Sequence, residues 1–106
     1  MKAKKPLKRF SAVHLHSIKE WQVYLLECAD RSLYCGVTKN LETRLLKHNE
    51  GVASKYTRSR LPVKLVAVRK DLTKSNALKL EHQIKKLPAG KKISALKGKI
   101  TLQFPE

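Results

Sequence analysis

From residue 21 to 28, WQVYLLEC, apolar side chains fall on both faces, the pattern of a strand covered on both sides. Ala29-Asp30-Arg31 carries the turn residues, and LYCGVT at 33–38 reads as the return strand. Side chains alternate faces along a strand, so loop length decides which of them meet. A two-residue loop at Asp30-Arg31 would set Tyr24 and Tyr34 on opposite faces. A three-residue loop at Ala29-Asp30-Arg31 pairs Cys28 with Ser32 and brings both tyrosines to one face, and it is the expectation. Gly36 then shares that face, and a glycine within a strand marks close approach of a ligand or a backbone.

A helix follows from Leu41 to about Glu50, with Asn40 as N-cap, Glu42 in its first turn and Gly51 as the stop. Leu41, Leu45 and His48 share a broad stripe, and Arg44 stands four residues before His48 at its edge. Residues 51–62, GVASKYTRSRLP, read as a basic loop with Lys55, Arg58, Arg60 and a central Tyr56. Such a loop binds backbone phosphates, with the tyrosine stacking on a base; the alternative is a solvated connector with Tyr56 folded back on the core. VKLVAV at 63–68 alternates as a third strand. Thr73 or Ser75 caps the longest helix, which Pro88 ends and which buries Ala77, Leu80, Ile84 and Leu87. Glu81 borders that stripe among lysines, and an i,i+4 pair with Lys85 would account for it locally. Residues 89–97 add a short last helix.

The sum is one small α+β domain: a three-stranded antiparallel sheet flanked by helices in the order β-β-α-β-α-α. At 106 residues there is material for one modest core. The expected limits are a basic flexible tail at 1–20, the folded domain at 21–98 and an irregular tail at 99–106. His14 and His16 alternate within the first tail and read as solvated rather than as a metal pair. No apolar run approaches the ~20 residues of a membrane span. The N-terminus lacks the apolar core and cleavage site of a secretory signal.

Charge changes the picture most. The formal net charge is +16, from 24 Lys and Arg against 8 Asp and Glu. Such an excess costs self-repulsion, which a polyanionic partner offsets by counterion release; nucleic acid comes first. Cys28 and Cys35 are too few for a disulfide framework and lack zinc-site spacing, so they read as core thiols in a reducing cytoplasm.

None of these residues is specific alone, but their order is. A tyrosine on strand one, Tyr34-Cys35-Gly36 on strand two, Arg-x-x-x-His on the next helix and a glutamate on a later one resemble the GIY-YIG nuclease superfamily. Val23-Tyr24-Leu25 stands at the first motif. GVASKYTR and ALKLEHQIKK resemble in particular the small stand-alone bacterial members (UPF0213-like).

The resemblance covers about residues 21–97 and implies a metal-dependent endonuclease acting on DNA, branched or damaged, in repair or recombination. It implies that Tyr24, Tyr34, Arg44, His48 and Glu81 converge on one phosphate. In the family's pattern Glu81 holds one divalent ion, Mg2+ or Mn2+. Tyr24 is the general base, its phenol lowered from about 10 by the ion and by Arg44. Arg44 braces the phosphate, and Tyr34 and His48 orient water and scissile group. Lys55, Tyr56, Arg58, Arg60 and Lys85 would contact the nucleic acid, and a protein partner would supply targeting. Two positions depart from the family: Val37 stands where many members have lysine, and no asparagine follows Asn76. The departures keep a second reading open, a non-catalytic nucleic-acid-binding module on the same fold.

Overall fold

A computed structural model describes residues 18–98 of the chain. The basic tail up to Ser17, with its two histidines, and the tail at 99–106 lie outside the described residues. Strands β1 (Trp21–Glu27), β2 (Leu33–Thr38) and β3 (Lys64–Leu72) form one antiparallel sheet in the order β2-β1-β3. Helices α1 (Leu41–Asn49) and α2 (Lys55–Arg58) lie between β2 and β3, and α3 (Lys74–Lys85) and α4 (Ala89–Leu96) follow. Among the described residues, no helix is long and apolar enough to cross a membrane.

The hairpin closes through the three-residue loop. The Cys28 amide donates to the Ser32 carbonyl at 2.9 Å, and Arg31 takes a left-handed φ of 73°. That conformation at the last loop position suits a three-residue connection. The resulting register sets Tyr24 opposite Gly36 and Leu26 opposite Tyr34. Both tyrosines therefore share a face with Gly36, as the alternation requires.

The sheet has two apolar faces. On one, Val23, Leu25, Cys35 and Ala67 pack with Ala77, Leu80 and Ile84 of α3 and with Ala95 and Leu96 of α4. On the other, Tyr24, Leu26 and Cys28 pack with Val63, Tyr34, Leu41 and Leu45. Caps fix the helix starts: Asn40 and Thr73 each accept from the amide three residues on. Gly51, at a φ of +81°, stops α1.

Two segments differ from the sequence expectation. Residues 51–62 are not a plain loop, because the Ser54 hydroxyl accepts from the Thr57 amide and caps the one-turn helix α2. β3 runs past Val68 to Leu72, where Arg69 donates to the carbonyls of Leu96 and Ala95 at 3.0 and 2.9 Å and ties the strand to the end of α4.

The Asn49 amide joins α1 to the entry of β3, accepting from the Val63 amide at 2.9 Å and donating to its carbonyl at 3.2 Å. Asn49→Ala leaves both backbone groups of a buried residue without partners, at about 1–3 kcal/mol. Urea denaturation should show that loss with an unchanged m-value.

Candidate active site

Tyr24 is 2% exposed, and its ring lies across Gly36 on the neighbouring strand. A Cβ at Gly36 would fall on the ring carbon and hydroxyl of Tyr24. The close approach that the strand glycine announced is therefore that of a side chain. α1 delivers His48 to the same point: its Nε2 lies 2.8 Å from the Tyr24 hydroxyl, and the residue is 1% exposed. The imidazole stands edge-on to both tyrosines, with ring centres 5.8 Å from Tyr24 and 5.1 Å from Tyr34. The two tyrosine rings are 6.4 Å apart. Residues from β1, β2 and α1 thus form one aromatic cluster, buried at Tyr24 and His48 and half-buried at Tyr34.

Sequence reasoning missed the group behind it. His48 Nδ1 lies 2.9 Å from the Thr57 hydroxyl, which lies 2.9 Å from the Ser54 hydroxyl. Thr57 is fully buried, although it sits in the most basic loop of the domain. The signal available was the Ser-x-x-Thr spacing of a helix cap, which would have turned Thr57 inward.

Arg44 and Glu81 are carried by helices on opposite sides of the sheet. Arg44, half-buried on α1, lines an open hollow of about 260 Å³ with Thr38, Asn40, Thr43 and Lys47. Glu81 projects from α3 on the other face, where its carboxylate pairs with the Lys85 ammonium at 3.2 Å. Its charge is felt at Cys35 and also at Tyr24. β2 is an edge strand, so the set wraps around the edge of the sheet instead of lining one enclosed pocket.

Among the protein's own groups, the electrostatics at Tyr24 run against the expected lowering of its phenol. Burial pushes the Tyr24 phenol well above its ordinary value, and Tyr34, Cys35 and Glu81 add to that; Arg44 pulls down, as expected, but is outweighed. Burial, and then Arg44, hold the His48 imidazole below its ordinary value, so it is neutral at pH 7. Burial and then Glu81 raise the Cys35 thiol to about 12, and Cys28 is raised by burial as well. Both thiols are buried and unpaired, packed as small core residues.

Among the described residues, no three His, Cys, Asp or Glu side chains stand together as a metal cage. The carboxylate that the resemblance marks for a metal, Glu81, has 22% of its side chain exposed. One hard oxygen ligand open to water fits a Mg2+- or Mn2+-like ion that keeps most of its own waters, and it does not fit zinc.

Tyr56, 38% exposed, is neither folded into the core nor free. Its ring stacks beside Tyr34 at 6.1 Å, and the Arg60 guanidinium lies 3.8 Å over it. Arg60 also pairs with Asp30 at 3.0 Å and donates to the Tyr56 carbonyl, so its fork is already engaged. Lys55 and Arg58 are exposed on α2. Lys85 joins Lys92, Tyr34, Cys35, Leu33 and Tyr56 around a second open hollow of about 290 Å³.

Comparison with known proteins places the chain in a family. The family model described as the GIY-YIG catalytic domain matches residues 20–93. A UPF0213 protein of Syntrophus aciditrophicus is 49% identical over 76 residues, covering 71% of this chain and 87% of the relative. Another, from Natronomonas pharaonis, is 49% identical over 70 residues, covering 66% and 82%. The solution NMR structure of the protein EF2693 from E. faecalis is similar at a TM-score of 0.54 and 35% identity, covering 86% of this chain and 99% of that one.

Two outcomes follow from the packing. Gly36→Ala drives a methyl group into the Tyr24 phenol, which His48 holds in place; thermal or urea unfolding should show a loss of about 1–3 kcal/mol. For His48, the folded imidazole binds its proton less readily than the unfolded one, so the unfolded state takes up protons first on acidification. Stability should hold above about pH 6.5, fall as the pH drops below it, and fall less steeply in His48→Gln.

Proposed function

The chain belongs to the GIY-YIG family, and from that premise we propose that it is a metal-dependent endonuclease that hydrolyses phosphodiester bonds of DNA. Branched or damaged DNA is the substrate class, in repair or recombination, with residues 21–98 as the nuclease domain and the basic tail adding phosphate contacts. The observation that carries the reading is the meeting of Tyr24, Tyr34 and His48 in one cluster, with the charges of Arg44 and Glu81 both felt at its phenol.

Tyr24 takes a proton from the attacking water. A neutral, buried phenol does so only while giving up its own, and the neutral His48 imidazole at 2.8 Å is the group placed to accept it. Arg44 braces the non-bridging oxygens as charge builds on the phosphate, and Tyr34 packs against His48 and limits water on that side. Glu81 would hold the divalent ion, which when bound supplies positive charge to the phosphate and acidifies water. Lys85, now paired with that carboxylate at 3.2 Å, would be free to meet a DNA phosphate were Glu81 to hold the ion. Lys55 and Arg58 extend the basic track, while Arg60 holds the exposed Tyr56 ring where a base can stack.

Wild type should nick or cut a panel of linear, flapped and branched DNAs with Mg2+ or Mn2+. Glu81→Ala should abolish cleavage but not binding, and Arg44→Ala should lower the rate ~100- to 1000-fold. Steeply salt-dependent binding without cleavage of any substrate, unchanged in Glu81→Ala, would instead establish the non-catalytic module.

A further inference from the structure

The two possible hydrogen-bond directions along the chain Tyr24–His48–Thr57–Ser54 satisfy its inner members equally and differ in which end keeps a spare hydrogen. In one, Ser54 donates to Thr57, Thr57 donates to Nδ1, and Nε2–H donates to the Tyr24 oxygen. In the free chain the Tyr24 hydrogen is then left over at a residue 2% exposed, where His48 is the hydroxyl's partner among the described residues; the attacking water would reach this oxygen only with bound DNA. A buried unpaired O–H is costly, so this direction is disfavoured. In the other, Tyr24 donates to Nε2, Nδ1–H donates to Thr57, and Thr57 donates to Ser54. The hydrogen left over is then that of Ser54, which is only half-buried and can meet water.

We propose that Thr57, anchored by Ser54 at the start of α2, is a positioning residue that fixes His48 as the Nδ1–H tautomer and leaves its Nε2 lone pair facing the Tyr24 proton. The inference rests on the endonuclease reading for its chemistry but not for its geometry. As the water oxygen bonds to phosphorus, the water proton passes to the Tyr24 oxygen and the Tyr24 proton passes to Nε2. The bond from phosphorus to the leaving sugar oxygen breaks with its electron pair, and that oxygen takes a proton from solvent. The imidazolium keeps its Nδ1–H bond to Thr57 and later returns its extra proton to water. The titratable and charged groups facing His48 are Tyr24 from β1, Tyr34 from β2 and Arg44 from α1, with Glu81 of α3 acting through Tyr24. From α2 the group at Nδ1 is the Thr57 hydroxyl, backed by Ser54, so the acceptor there carries no charge.

The test is 15N NMR of His48 in the metal-free chain, with cleavage kinetics alongside. Wild type and Thr57→Ser should show Nδ1 protonated and Nε2 bare at neutral pH. Thr57→Val, nearly the same shape without the hydroxyl, should shift the ring toward Nε2–H and lower kcat about 10- to 100-fold, with KM and DNA binding unchanged. A wild-type ring protonated at Nε2 overturns the proposal, as does Thr57→Val with wild-type tautomer and kcat. Should Thr57→Val fail to fold, the wild-type and Thr57→Ser spectra still decide it. Should the chain cleave nothing, the spectra judge the tautomer while the endonuclease reading falls separately.

Discussion

The phenol of Tyr24, laid across Gly36 and joined to His48, is the constraint from which the rest of the site follows. A tyrosine so deeply buried needs a partner for its hydroxyl, because an unpaired buried polar group costs about 1–3 kcal/mol. His48 supplies that partner and thereby becomes a buried polar ring with a second nitrogen to satisfy. Thr57 satisfies it and is buried in turn, and Ser54 ends the series where water is within reach. Each step calls for an element to carry the next residue: β1, then α1, then α2. The one-turn helix is too short to be stable alone. It is held by its cap and by Thr57, its buried residue.

The sheet does a different job, keeping opposite charges apart while letting both act on one group. α1 covers one face and carries Arg44; α3 covers the other and carries Glu81. Because β2 is an edge strand, no further strand separates the two sides there. Surface pairs such as Lys85–Glu81 and Lys64–Glu27 contribute at most about 1 kcal/mol each and cannot offset a net charge of +16. The surplus is a standing attraction for a polyanion, and around β2 it gathers in Arg44 and Lys47 on one side and Lys85 and Lys92 on the other.

Much of this was legible in the residues because it rests on parity and on caps. Loop length set the register, the register set the face of each tyrosine, and Asn40, Thr73 and Pro88 punctuated the helices. Depth was not legible: alternation tells which face a side chain takes and not how far water is excluded from it. That is why the phenol of Tyr24 is raised by burial although the sequence pointed to Arg44 lowering it. The helix at Lys55–Arg58 was missed because four residues give no periodicity, and the end of β3 because Arg69-Lys70-Asp71 is polar. Arg69 belongs in the strand because its guanidinium has α4 carbonyls to bond, a long-range fact absent from local pattern.

The departure at Val37 takes on a definite meaning once the faces are known. Val37 pairs with Val23 and packs, half-buried, against the core shared with α3 and α4. A side chain there therefore belongs to the Glu81 side of the sheet and not to the tyrosine side. Valine in place of lysine leaves the Tyr24–His48–Thr57 chain untouched and removes a cation only from the far face. That face is already supplied, since Lys85 stands against Glu81 and Lys92 donates to the carbonyls of Ile84 and Lys85 at 2.9 and 3.1 Å. Positive charge beside the carboxylate comes here from helices, where it is tied to the end of α3, instead of from the strand.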